Sequence, residues 1–200
     1  MGEDYIKFKL NWEKAEAFSL EKLKELNDWR NKLYGIGLIG AYENGIGFGN
    51  ISIRSTGKNF FISGSATGNI EELNQEHYCE VVGFELEQNS LKCKGPIKAS
   101  SESMTHAAIY ESDENANAVV HVHNLKLWAE LIGKVPETKK EVEYGTVEMA
   151  MEIKRLFKET EVKEKKIIVM IGHKEGVISF GKNLEEAGNI MLKYFNELVK

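Results

Sequence analysis

A chain of 200 residues that is 42% hydrophobic and 28% charged has the size and composition of a single globular domain, read here as residues 1–200, able to bury a sizeable core without disulfide staples. Its 26 Lys and Arg against 31 Asp and Glu leave a net charge of −5, which argues against a nucleic-acid or anionic-membrane surface as the main partner. No apolar run approaches the ~20 residues of a membrane span, and the opening MGEDYIKFKLNWEKAEAF is too charged for a secretion signal, so a cytoplasmic protein is expected.

The first predicted element is a helix over Ser19 to Tyr34, with Ser19 as its N-cap and Leu20, Leu23, Leu26, Trp29, Arg30 and Leu33 on one stripe. Gly35-Ile36-Gly37-Leu38-Ile39-Gly40 then matches the GxGxxG pattern of dinucleotide-binding folds. That fingerprint works only between a strand and a helix, so that a pyrophosphate meets a helix N-terminus. Here a helix precedes it and the glycine-rich stretch from Ala41 to Gly49 follows, so no nucleotide site is expected.

Ile51 to Arg54 and Asn59 to Ser63 read as a hairpin across Thr56-Gly57-Lys58. The loop after it, Ser63-Gly64-Ser65-Ala66-Thr67-Gly68, carries the hydroxyls and exposed amides that can cradle a phosphate without a positive charge, although small polar loops are also ordinary turns. Glu80 to Leu86 and Ser90 to Cys93 read as another strand pair. Cys79 and Cys93 make neither a CxxC pair nor a disulfide framework and are read as packed or free thiols. Ser100 or Ser101 then caps a helix carrying Met104, Ala107, Ala108 and Tyr110, whose positive end is a second anion-binding spot. Glu102 falls in its first turn, where a lone acid ordinarily complements the helix dipole at the surface, and His106 one turn on is read as packed rather than ligating.

Ala118-Val119-Val120-His121-Val122-His123 reads as a buried strand on which both histidines share a face, roughly 7 Å apart along the backbone. Either both are core histidines satisfied by hydrogen bonds, or they are two ligands of one ion that needs a third. Beyond them come a short helix over Leu125 to Ile132 and a helix starting at Thr146 with Ala150, Ile153, Leu156 and Phe157. The charge run Lys163 to Lys166 reads as a solvated turn, and Lys166 to Ile171 as a buried strand that pairs with Val177 to Phe180. His173 sits between them among glycines, where loops carry function. A last helix starts at Asn183, with Glu186 completing the cap and Ala187, Ile190, Met191, Tyr194 and Leu198 on one face.

Six short motifs stand in order along this chain. They are Gly49-Asn50-Ile51-Ser52-Ile53-Arg54, Ile62-Ser63-Gly64 through Thr67-Gly68, Ser100-Ser101-Glu102, His121-Val122-His123, Tyr144-Gly145-Thr146, and His173 with Gly176. They resemble the GNxSxR, ITPTG, SSE, HxH, YGT and HHG motifs of the class II aldolase/adducin family, which includes fuculose-phosphate aldolase, rhamnulose-phosphate aldolase and ribulose-phosphate 4-epimerase. The resemblance implies an α/β fold, a three-layer αβα sandwich around a mixed, largely antiparallel sheet, assembled as a homotetramer with active sites between subunits. It also implies His121, His123 and His173 as ligands of one zinc ion (Zn2+) per chain, with Mn2+, Co2+ or Fe2+ as alternatives, and Glu102 as the acid/base. Asn50, Ser63, Gly64, Thr67, Gly68, Ser100 and Ser101 become the candidates for a substrate phosphate.

The implied activity is retro-aldol cleavage of a small sugar phosphate through an enediolate, with a sugar-phosphate 4-epimerase or a non-catalytic adducin-like scaffold as alternatives. Three neutral imidazoles would leave zinc an open position for the oxygens of an α-hydroxycarbonyl. Two departures from the family pattern stand out. The third histidine lies in Gly172-His173-Lys174-Glu175-Gly176 rather than in a His-His-Gly run, and the short segment from Leu125 to Glu143 holds no match for the tyrosine that protonates the aldehyde, which leaves Tyr144 as the nearest phenol. A cupin-type oxygenase also uses HxH, but its glutamate follows within a few residues, whereas Glu130 is the nearest here.

Overall fold

The computed structural model describes residues 6–198, so the first five residues of the charged opening lie outside it. In chain order the elements are β1 (Lys9–Lys14), α1 (Leu20–Gly35), a small hairpin of β2 (Gly40–Ala41) and β3 (Gly47–Phe48), β4 (Asn50–Arg54), β5 (Phe60–Ser63), β6 (Tyr78–Glu85) and β7 (Ser90–Gly95). They continue as α2 (Ser103–Ser112), β8 (Ala118–His123), α3 (Leu125–Leu131), α4 (Val147–Glu159), α5 (Val162–Lys165), β9 (Ile167–Val169), β10 (Gly176–Gly181) and α6 (Leu184–Glu197). Eight strands form one sheet in the order β1-β7-β6-β5-β4-β8-β10-β9. The β1–β7 pair is parallel and every other neighbouring pair is antiparallel.

Helices cover both faces of this sheet, which gives the expected three layers. On one face α1 and α6 supply Leu23, Leu26, Leu33, Leu184, Ala187 and Met191 to a core shared with Ala118, Val120 and Val122 of β8. On the other, α2 and α4 supply Met104, Ala107, Met149, Ile153 and Leu156 to a core shared with Val119, Ile178 and Phe180. Strand β8 lies between β4 and β10 and is buried on both faces, which is why its sequence is a valine run rather than a polar alternation. His121 and His123 occupy the face of Val119 at the end of that run, in register with Ile178 and Gly176 of β10.

Several elements differ from the sequence reading. Strand β1 has no counterpart there because the charge of the opening masks its pattern, although Leu10 and Trp12 alternate with polar residues and pack on the core as a half-buried edge strand. Helix α2 begins at Ser103, with Glu102 in the N-cap position, because the Ser103 amide closes a turn onto the Ser100 carbonyl at 3.0 Å. The Lys163–Lys166 run is mostly the single turn of α5, ended by Lys166 at φ 55°. The strand expected over Lys166–Ile171 shortens to β9 because the chain folds back through Met170 N–H to Gly176 C=O at 3.0 Å. Asn183 caps α6 by accepting from the Glu186 amide, while the Glu186 carboxylate turns to the Lys182 amide and so leaves the cap one-sided.

Candidate metal centre and active site

The antiparallel β8–β10 pair and the tight loop before β10 bring three imidazoles together. His121 Nε2 and His123 Nε2 are 3.1 Å apart, and the His173 ring lies 4.6 Å from that of His123 and 5.4 Å from that of His121, centre to centre. One ligand atom from each lies within 4.8 Å of the others. Gly176 is needed for this convergence, since a Cβ there would come within 2.7 Å of His173 Cδ2 and 3.2 Å of His121 Cε1.

Burial holds all three imidazoles neutral. It pushes His123 down to about 3 and His173 to about 4, and depresses His121 well below the ordinary histidine range, with the neighbouring imidazoles adding to the effect on His121 and His123. Neutral rings keep a lone pair each, the state in which histidine ligates a metal. Tetrahedral ligation by imidazole nitrogens needs them roughly 3.3 Å apart. The His121 to His123 separation fits that span, and the donor set is all nitrogen.

The other polar groups on this side also point to bound chemistry. Buried side-chain atoms without a hydrogen-bond partner, among the described residues, include Asn50 Oδ1, Glu102 Oε1, Ser103 Oγ, His106 Nε2 and His121 Nδ1. Native interiors rarely leave such atoms unmatched, and these belong to the adjoining strands β4 and β8 and the start of α2. The Val177 backbone lies near enough to His121 to favour its protonation, yet no hydrogen bond of ordinary geometry forms at Nδ1.

Glu102 is not the surface acid that its first-turn position suggests; it is 3% exposed. Its Oε2 accepts from Thr105 Oγ1 at 2.8 Å while Oε1 has no partner. Burial raises its pKa to about 7, against the smaller opposing pull of the Thr105 hydroxyl and the Lys7 charge. Such a group takes up and releases a proton at neutral pH. His106 is packed, as expected, with its Nδ1 2.7 Å from Ser52 Oγ, and it stands outside the three-histidine group.

The phosphate candidates fall into two sets. Asn50 Nδ2 donates to Ser100 Oγ at 3.1 Å, which ties β4 to the turn before α2, and Ser101 beside them is half-buried. Ser63 and Thr67 instead use their hydroxyls internally, Ser63 Oγ accepting from the Ile51 amide and Thr67 Oγ1 donating to the Gly64 carbonyl. Gly64 bridges to Ala99, and Gly68 packs so closely on β2–β3 that a Cβ would meet Gly40 O at 2.5 Å. Ala66 sits at φ 58°, and among the described residues the amides of Ala66, Thr67 and Gly68 have no backbone acceptor. Tyr144 packs its ring 4.3 Å from that of His173.

Three residues of this region were missed in the sequence. Arg30, read as part of an apolar stripe, is 1% exposed and donates to the carbonyls of Glu71, Thr67 and Gly68, bracing the loop from behind. A lone arginine in a leucine stripe was the available signal. Lys7 reaches the Tyr144 carbonyl at 3.2 Å and lies 3.9 Å from the centre of its ring, a contact across 137 positions that no local pattern announces. Tyr42 places its hydroxyl 2.7 Å from His123 Nδ1 and donates to Glu175 Oε2 at 3.1 Å.

Fold and site together define an α/β protein with a three-histidine, metal-competent centre at the end of a central strand, His121 and His123 buried and His173 half-buried. The model of the Class II Aldolase and Adducin N-terminal domain matches residues 42–196, and the chain belongs to that family. No curated protein matches the sequence. Among solved structures it is similar to an L-fuculose 1-phosphate aldolase, with a TM-score of 0.66 and 18% identity over 90% of this chain and 84% of that one. It is also similar to a sugar-phosphate aldolase from Thermotoga maritima, with a TM-score of 0.60 and 19% identity over 88% and 95%. An L-fuculose-1-phosphate aldolase from Thermus thermophilus shares the fold at a TM-score of 0.55 and 22% identity over 91% and 100%.

Proposed function

We propose that this chain is a metal-dependent aldehyde-lyase, a class II aldolase acting on a small sugar phosphate, with zinc held by His121, His123 and His173. The observation that carries the reading is the convergence of three neutral histidines. A divalent ion bound there would supply Lewis-acid polarisation of an α-hydroxycarbonyl. The protein's own groups divide the remaining work. In the condensation direction Glu102 Oε1 takes a proton from the donor carbon, the carbon–carbon bond forms at the aldehyde carbon, and the aldehyde oxygen takes a proton from the Tyr144 phenol. Cleavage is the reverse. Glu102 suits both directions because burial brings its pKa near neutrality.

The phosphate is assigned to the amides of the Ser63–Gly68 loop together with Asn50, Ser100 and Ser101. The free amides around Ala66 support that assignment, since successive main-chain N–H groups at a left-handed turn form an anion-binding concavity. Assembly as a cytoplasmic homotetramer belongs to the same proposal.

The test is a screen of ketose phosphates on metal-loaded protein that follows three signals: aldehyde release, epimer formation, and exchange of the donor's carbon-bound proton with solvent. Glu102→Gln should keep the metal and lose exchange by roughly 10²- to 10⁴-fold, because an amide of the same shape cannot accept the proton. Exchange at the parent rate would remove Glu102 as the base. Epimer formation without aldehyde release would move the reading to a sugar-phosphate 4-epimerase.

A further inference from the structure

Of the three histidines, His123 has a chain of side-chain partners behind it. Its Nδ1 is 2.7 Å from the Tyr42 hydroxyl, and that hydroxyl is 3.1 Å from Glu175 Oε2. A phenol carries one proton and a carboxylate carries none, so the chain can be satisfied in one sense alone. Tyr42 donates to Glu175, and its oxygen accepts from Nδ1–H of His123. The lone pair of His123 is thereby left on Nε2, the nitrogen 3.1 Å from His121 Nε2.

The parts of this chain are held by the fold. Tyr42 lies in the turn of the β2–β3 hairpin, closed by its amide to the Ile46 carbonyl at 2.9 Å and by the Gly45 amide to its own carbonyl at 2.8 Å. Phe48 from the same hairpin stacks on the His123 ring at 5.5 Å and 22°, fixing the plane of the ring. Glu175 adopts φ 72°, a left-handed conformation unfavourable for a residue with a side chain, and its carbonyl accepts from the Asn124 amide at 3.0 Å. It stands in the Gly172–Gly176 loop, where this sequence departs from the family's His-His-Gly run. Strain at such a position persists where the side chain is put to use.

We propose that Tyr42 and Glu175 are positioning residues of the histidine centre, locking His123 in its Nδ1–H form so that Nε2 is presented to a divalent metal. The proposal rests on the metal-binding reading of the three histidines. Partners of this kind fix the orientation of a ligand ring and raise its basicity, and losing one typically costs about 10- to 100-fold in metal affinity.

The experiment measures zinc affinity at fixed pH by chelator competition, and Co2+ binding by its visible spectrum, for the parent, Tyr42→Phe, Glu175→Gln and the double variant. Each single variant should bind about 10- to 100-fold more weakly, and the double variant no more weakly than Tyr42→Phe, because the two act in series. Glu175→Gly separates positioning from stability: glycine relieves the left-handed strain, so the fold should hold or gain thermal stability while metal affinity falls. Nitrogen-15 spectra of the metal-free parent should show His123 with its proton on Nδ1. A proton on Nε2 in the parent, or unchanged affinity in Tyr42→Phe, overturns the inference. A parent that binds neither ion fails the metal reading instead, and the tautomer measurement then still tests the hydrogen-bond chain by itself.

Discussion

The β8–β10 histidine face and the Ser63–Gly68 loop both carry residue types that point to a ligand, yet they are built on opposite terms. On the histidine face the side chains are open, with Nε2 of His121 and His123 turned toward each other and Glu102 Oε1 unpaired. In the loop the hydroxyls of Ser63 and Thr67 are used within the fold, and Arg30 braces the carbonyls from behind. What the loop leaves open is the main chain around Ala66, with the half-buried Ser65 hydroxyl beside it. Side-chain chemistry is thus concentrated where a strand end and a glycine-lined loop meet, while the loop offers a rigid set of amides whose aim depends on groups outside it.

The sharpest way to break this contrast is to remove the histidines. A His121→Ala/His123→Ala double variant should fall to background in elemental analysis when purified without chelator, against roughly one divalent ion per chain for the parent. Its affinity for inorganic phosphate should stay close to that of the metal-free parent, since the loop amides do not depend on those rings. Equal metal in both proteins removes the histidine centre, and loss of phosphate binding in the metal-free variant would show that the two regions are not separable.

The next largest effect is expected at Arg30. Arg30→Met removes the buried guanidinium and its bonds to the carbonyls of Glu71, Thr67 and Gly68, and should destabilise the protein by about 2–4 kcal/mol. Metal content should be unchanged while phosphate binding weakens, the converse of the histidine variant. Denaturant midpoints together with metal analysis check both halves. A variant of parental stability would mean that water replaces the guanidinium and that the loop braces itself.

How far the sequence announced these regions follows from the same contrast. Period-two alternation in a valine run is a local signal, and it located His121 and His123 and the strand that carries them, just as stripes at helical spacing located the helices that cover it. Alternating strands and amphipathic helices made a layered α/β domain legible in the residues, while the three-layer sandwich itself came with the family resemblance. Contacts between distant segments were not legible. Lys7 against Tyr144, Arg30 against Gly68 and Tyr42 against His123 join residues 137, 38 and 81 positions apart, and nothing in the spacing of either partner marks the other. The state of Glu102 was hidden too, because a first-turn acid is exposed or buried according to what the rest of the chain lays over it. Short motifs carried by family resemblance filled part of that gap, naming His173 and the loop residues without indicating which atoms of the loop are free.

The smallest effect addresses that last point, whether the hydroxyls or the amides of the loop meet an anion. Thr67 Oγ1 donates to the Gly64 carbonyl at 2.9 Å, and Thr67 is 5% exposed, so its hydroxyl is already committed. Thr67→Val keeps the shape and removes that donor, leaving the Gly64 carbonyl without it. The expected cost is about 1 kcal/mol of stability, the ordinary value of one buried hydrogen bond. Phosphate affinity should change by less than about threefold, because a neutral hydroxyl turned inward contributes little to a ligand it does not face. Calorimetric titration with inorganic phosphate and a urea melt of the same preparation give both numbers. A tenfold or larger loss of phosphate affinity at unchanged stability would reverse the comparison for this loop, since the hydroxyl would then have to turn outward on binding and the loop, like the histidine face, would recognise its ligand through side chains.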